Sequence, residues 1–131
     1  MFEDESTGGE GTGFVETTGV QVLLSTAPDE ATAVLLARAL VGSKVAACVN
    51  IVPKVRSIYR WQGAIEDSVE VLLLIKTTRA EAGHVAEILK REHPYECPEL
   101  LALDVTGGLE AYLGWVTAES STVSPIGEFS R

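Results

Sequence analysis

From Val20 onward the chain changes hydrophobic period several times, and each change marks an element. "GVQVLLSTA" begins as apolar and polar alternation and then becomes continuously apolar, which predicts a central strand. In "TAPDEATAVLLARALVG" the period lengthens: Ala33, Leu36, Ala37, Leu40 and Val41 recur at the spacing of one helix face. Pro28 sits near the start of that helix, Thr26 and Asp29 have the spacing of a capping box, and Gly42 can end it. Between Val45 and Thr77 lie two extended runs, "VAACVNIVPKVRSIYRW" and "AIEDSVEVLLLIKT", separated by Gln62-Gly63. They predict one long hairpin around a tight turn. Pro53 has no N–H to donate, so it should mark a bulge, a bend or an edge in the first arm. "TRAEAGHVAEILKREH" then carries Thr78 and Glu81 at capping-box spacing, with Val85, Ile88 and Leu89 on one face, and Pro94 stops it. "PELLALDVT" reads as a short strand. "GGLEAYLGWVTAE" reads as a third helix with Leu109, Tyr112, Leu113 and Val116 on one side.

The order β-α-β-β-α-β followed by an extra C-terminal helix is the ferredoxin-like α+β arrangement, an antiparallel sheet with two helices on one face. The hairpin arms, at roughly 14 to 17 residues, exceed the usual strand of about 3 to 10. Part of each arm must therefore reach beyond the ground two helices can cover. Those parts carry Ile58, Tyr59, Trp61 and Ile65, and apolar strand surface of that kind calls for a covering subunit.

Composition narrows the function classes. A chain of 131 residues, 46% hydrophobic and 22% charged, fits one domain, placed at residues 19–119 between an acidic leader at 1–18 and a loose tail at 120–131. The leader holds Glu3, Asp4, Glu5, Glu10 and Glu16 and no basic residue, so removing those five from the formal charge of −9 leaves −4 for the rest. A mildly acidic body repels phosphate backbones, which argues against a nucleic-acid partner. No apolar run approaches the roughly 18 residues that cross a bilayer, and the acidic start differs from a signal peptide, so the expected setting is cytoplasmic with no membrane partner. Cys48 and Cys97 are expected as reduced thiols. A metallochaperone Cys-x-x-Cys is missing from "STAPDE", and the central strands lack the aromatics of an RNA-recognition domain.

Three stretches together, "STAPDEATA", "AACVNIVPKVRSIYRWQGAIEDSVEVLLLIKTT" and "HPYECPELLALDVTGGLEAYLGWV", resemble the CutA family, the divalent-cation tolerance proteins, over about residues 20 to 118. The resemblance implies a ferredoxin-like subunit in a stable homotrimer similar in architecture to the PII signalling proteins. It also implies a non-catalytic part in tolerance of copper or other divalent cations in bacterial members, and anchoring of acetylcholinesterase in mammalian ones. Copper-binding members pair a Cys at the end of the first strand with two adjacent His at the end of the second helix. Here those positions read Ser25, Glu92 and His93, so His93 alone matches. Ser is a poor ligand for a soft ion and Glu prefers harder ones.

The densest candidate chemistry is "HPYECPEL", residues 93 to 100. As a metal site it would use His93 and Cys97 with Glu92 and Glu99. As a connector it is a helix stop at Pro94, a strand start at Pro98, and a helix-terminal His93 beside Tyr95. A Cys97 and His93 nucleophilic pair lacks the glycine-rich backbone donors of an oxyanion site, and the loop holds no Lys or Arg to favour a thiolate at Cys97. Cys48 is expected as a small buried hydrophobe and His84 as a solvated side chain. A second polar set, Arg56, Tyr59, Trp61, Glu70, Lys76 and Tyr95, joins Tyr112 and Trp115 as candidates for a ligand cleft or subunit interface. Lys76, at a strand end among apolar neighbours, should find a carboxylate such as Glu99. The alternative functions are a PII-like trimer sensing a small anion through Lys76 and Arg56, and a trimeric scaffold that anchors another protein.

Overall fold

The computed structural model describes residues 11–123. In chain order the elements are β1 (Phe14–Glu16), β2 (Val20–Ala27), α1 (Glu30–Gly42), β3 (Cys48–Trp61), β4 (Ala64–Thr78), α2 (Ala82–Glu92), β5 (Leu101–Asp104), β6 (Gly107–Leu109) and α3 (Glu110–Glu119), with one 3-10 turn at Arg79–Glu81 leading into α2. Four strands form an antiparallel sheet in the order β3-β4-β2-β5. This is the ferredoxin-like topology expected from the order of periods, and it arises because each helix carries its chain back across one face of the sheet.

That face is the core. Leu23, Leu73 and Ile75 point from β2 and β4 onto Leu36 and Leu40 of α1 and onto Val85 and Leu89 of α2, and these residues are essentially inaccessible. Their periods of two on the strands and near 3.6 on the helices are the ones that signal the elements in the sequence. The opposite face of the sheet is covered by α3 only at its Val20 end: beyond it, Val22 pairs with Lys76 and Leu103, and Leu24 pairs with Leu74 and Leu101. Leu101 and Leu103 are more than half exposed there.

The hairpin turns at Gln62-Gly63 with both φ values positive, 51° and 83°, the conformation whose twist suits a two-residue hairpin loop. Pro53 marks a bulge. Val52 pairs with Leu72 and Val55 with Glu70, so Pro53 and Lys54 together oppose the single residue Val71, and Lys54 takes φ 65°. The parity of β3 changes at this point: Asn50 and Val52 share the open face with Leu74 and Leu72, whereas beyond the bulge Val55, Ser57, Tyr59 and Trp61 occupy it.

Several sequence expectations are corrected. Residues 14–16, assigned to the leader, form β1 against β6, and Gly107 is what lets them approach: a Cβ there would lie 2.8 Å from the Phe14 ring and the Val15 carbonyl oxygen. For the same reason Gly107–Leu109 is strand and the third helix starts only at Glu110. Leu113 and Val116 of α3 are buried against Val20 and Ala47, while Leu109 and Tyr112 face solvent. On α1, Val41 is exposed. Neither expected capping box forms. Asp29 caps α1 by accepting the Thr32 N–H at 2.7 Å, which holds its carboxyl below the usual carboxylate range, and Thr78 makes no side-chain cap. The start of the expected tail is anchored, since Ser120 is buried and Thr122 bonds to Glu81. The remaining parts of the expected leader and tail, residues 1–10 and 124–131, lie outside the described residues.

Candidate functional site

At the end of the sheet where β2 runs into α1, the loop after α2 folds back over the strand ends, and hydrogen bonds fix it there. His93 caps α2 by donating its backbone N–H to Leu89 O, and its ring turns inward to 8% exposure. The backbone N–H of Tyr95 donates to His93 Nδ1 at 3.1 Å, so the ring proton sits on Nε2, which donates to the Thr26 carbonyl at 2.7 Å. The Tyr95 ring lies 4.6 Å from the imidazole, centroid to centroid. Ser25, fully buried, donates its hydroxyl to the Glu99 carbonyl at 2.7 Å. Thus two of the three positions that correspond to a copper-ligand pattern, Ser25 and His93, are both occupied in holding the loop to β2.

Tyr95 also reaches the hairpin. Its hydroxyl donates to Glu70 Oε2 at 2.6 Å; burial first, and the Glu70 carboxylate second, raise the phenol's pKa well above its ordinary value. Glu70 itself is 7% exposed. Between this pair and the overhanging hairpin lies an open cavity of about 810 Å³. Arg56, Tyr59 and Trp61 line it from β3, and Cys97 and Glu99 from the loop. Arg56 is committed to Asp67 by a two-pronged bond of 3.0 and 2.7 Å, which raises the guanidinium's pKa and lowers the carboxyl's.

The structure brings Arg56, Tyr59, Trp61, Glu70, Tyr95, Cys97 and Glu99 to one cavity, but separates the others. Lys76 lies six residues along β4 from Glu70, about 20 Å at strand rise, and its ammonium meets Asn50 rather than the expected Glu99. An anion site combining Lys76 with Arg56 is therefore not assembled within the chain. Glu92 is in solvent, held by Arg91 at 3.0 Å. Among the described residues no three His, Cys, Asp or Glu side chains converge as a ligand set, because His93 has turned both nitrogens to the backbone and Glu92 points away. Tyr112 and Trp115 stack 5.6 Å apart on the outside of α3, and both are about half exposed. Cys48 is only half-buried, and its thiol lies 3.8 Å from Asn50 Oδ1.

The other end of α2 holds a site that the periodicity does not reveal. Glu81 is buried, accepts the Thr122 N–H at 2.9 Å and the Thr122 hydroxyl through both oxygens, and contacts His84 Nδ1 at 2.7 Å. Burial pushes the Glu81 carboxyl up, but the bonds from Thr122 and His84 outweigh it and leave the pKa lowered. The bond to Glu81 raises the pKa of His84, so His84 is a partner in a clip and not a free solvated ring. The Glu81 to His84 spacing of three is legible in a helix; the Thr122 partner, 41 residues away, is not.

Comparison with known proteins places this fold in a family. The family described as "CutA1 divalent ion tolerance protein" matches residues 21–119. The "Divalent-cation tolerance protein CutA" of Escherichia coli O139:H28 is 46% identical over 97 residues, 74% of this chain and 87% of that protein. The solved divalent cation tolerance protein (Cut A1) from Thermus thermophilus is 44% identical with a TM-score of 0.76, covering 78% of this chain and 99% of its own. A CutA from Archaeoglobus fulgidus, described as a periplasmic divalent cation tolerance protein, gives 31% identity and a TM-score of 0.75 over 78% and 99%. No helix among the described residues is long and apolar enough to cross a membrane. By sequence over most of its length and by fold, the chain belongs to the CutA1 family of divalent ion tolerance proteins.

Proposed function

We propose that the protein acts in divalent-cation tolerance as a non-catalytic homotrimer with weak affinity for copper or another divalent cation. The observation that carries the assembly is the uncovered apolar surface: Leu101 and Leu103 on the open sheet face, and Ile58, Ile65 and Val69 on the overhanging hairpin, are all more than half exposed. Surface of this extent on strand elements is stable in water when other copies cover it. Tyr112 and Trp115 form a further patch suited to a subunit boundary.

Weak metal affinity follows from the state of His93. A metal ion would have to displace the bond to Thr26 or the bond from Tyr95 before the imidazole could coordinate. The ready donors are the exposed Cys97 thiol and the carboxylate of Glu99, with His93 joining them when its clamp opens. The free thiols at Cys48 and Cys97 favour a reducing, cytoplasmic setting. A non-enzymatic role is supported by the positions of these groups, since the His93 ring is directed at backbone partners and away from Cys97.

Sedimentation and calorimetry test the two halves. A trimer at micromolar concentration, with a weak saturable copper or zinc heat that disappears in Cys97→Ser, is the expected result. A monomer would overturn the assembly, and no saturable heat with either metal would overturn the metal role.

A further inference from the structure

α3 is a weak helix that is held in place by other parts of the chain. It has 10 residues, short of the roughly 12 to 15 at which an isolated helix becomes even marginally stable in water, and it carries Gly114 in its middle. Its N-cap is Leu109, which supplies no side-chain hydrogen bond, and its buried residues are Leu113 and Val116. The missing cap comes from the start of the chain. The Glu110 N–H, the first of the helix, donates to the Gly13 carbonyl at 2.9 Å, which continues the β1-β6 ladder into α3. At the other end of that ladder the Thr17 N–H donates to the Thr106 carbonyl, also at 2.9 Å. Val15 packs on the cluster of Val20, Ala47, Leu113 and Val116 that lies under α3. Two glycines set the path of this arm. Gly19, at φ 94°, turns the chain from β1 into β2 while its carbonyl accepts the Arg79 N–H at 2.7 Å, and Gly107 leaves the space that the Phe14 ring fills. Every one of these contacts is made by the chain with itself, at the end of the sheet opposite the hairpin turn, where Val20 pairs with Thr78. The arm also precedes residue 21, where the match to the family begins.

We propose that residues 11–18 are a strap that closes α3 over the Val20 end of the open sheet face, and that releasing the strap lets α3 lift while the four-stranded sheet stays folded. The bonds from Thr122 to Glu81 hold the far end of the helix, so the arm is the latch and the Glu81 clip the hinge. Lifting α3 uncovers Val20 and Ala47 and so lengthens the apolar face of the sheet; the strap sets where that face ends. The device is independent of the tolerance reading, since it involves neither the His93 loop nor a metal.

The test is hydrogen exchange of the full chain, comparing amides of α3 with those of Val71 to Thr77 in β4 and Val85 to Leu89 in α2. Gly107→Ala places a Cβ 2.8 Å from the Phe14 ring and the Val15 carbonyl oxygen and should unseat β1. Val15→Ser loosens the arm from its own side, adding no bulk and leaving α3 untouched. Protection of α3 should fall about tenfold in Gly107→Ala and about threefold in Val15→Ser, with the β4 and α2 amides unchanged. Gly114→Ala, whose added Cβ meets nothing within 4 Å, should instead raise α3 protection about fivefold. Unchanged α3 protection in Val15→Ser, an equal loss in the β4 and α2 amides, or a fall in Gly114→Ala would each overturn the proposal.

Discussion

The two ends of α2 each carry a histidine within three residues of a carboxylate in the sequence, and the fold treats them in opposite ways. At the C-terminal end His93 is buried, neutral in its bonding pattern, and spends both ring nitrogens on backbone groups of β2 and the following loop. At the N-terminal end His84 is exposed and pairs with the buried carboxylate of Glu81, which in turn ties down the segment after α3. One end is fixed by neutral hydrogen bonds that do not depend on charge. The other is an ionisable clip. The lesson is that a histidine's role follows from the partner its neighbours present: a carbonyl and an amide hold a neutral ring in a single tautomer, and a carboxylate favours the protonated form.

Substitutions can break this contrast. His93→Ala should have the largest effect, about 3 kcal/mol of destabilisation in chemical denaturation, because it leaves the Thr26 carbonyl and the Tyr95 N–H unsatisfied in a buried place. Loss of metal affinity without loss of stability would instead make His93 a resident ligand. Glu81→Ala should cost about 2 kcal/mol and expose residues 120–122 to hydrogen exchange, since Thr122 loses its acceptor. Protection of the Thr122 amide retained in that variant would mean the clip is incidental. Tyr95→Phe should cost about 1 kcal/mol, removing the hydroxyl that donates to Glu70 while keeping the ring packing against His93.

The smallest effect and the most diagnostic is the pH dependence of the clip. Glu81 has a lowered pKa, so its contribution is present above the ordinary carboxylate value and is lost as pH falls through the lowered one. His84 has a raised pKa, so its contribution is complete below its ordinary value near 6.5 and is lost as pH rises through the raised one. The clip should therefore be strongest in mildly acidic solution. Thr122 amide protection, corrected for the intrinsic exchange rate, should pass through a maximum there, and His84→Ala should remove the alkaline limb alone. A profile that is the same in both proteins would separate His84 from the clip.

What the sequence reveals follows the range of each interaction. The β2-α1-β3-β4-α2-β5 order, the turn at Gln62-Gly63 and the irregularity at Pro53 are written in local periodicity and backbone chemistry, and the structure has each of them. The β1 and β6 pairing escapes that method because strands of three residues carry no period, and Gly107-Gly108 looks like a turn when its steric need is a close neighbour ring. His93 shows the same boundary within the site. Its residue type and its helix-end position are legible, yet its decisive partner is the carbonyl of Thr26, 67 residues earlier, which no spacing rule exposes. Tyr59 and Trp61 share the face of Glu70 only because the bulge changes which residues of β3 face which way, so simple alternation from Cys48 assigns them to the wrong side.

That bulge has a consequence for how the protein tolerates change in length. Pro53 and Lys54 already stand opposite one partner, and Lys54 occupies a left-handed conformation that suits glycine or asparagine better than lysine. Shortening the chain by Lys54 would restore one-to-one pairing while preserving the register of every residue from Val55 to Trp61. A deletion within Arg56 to Arg60 would instead turn part of the hairpin inside out. Among descendants of this sequence, single-residue insertions and deletions in β3 should accumulate at positions 53 and 54, making the bulge the seam along which the arm can evolve in length.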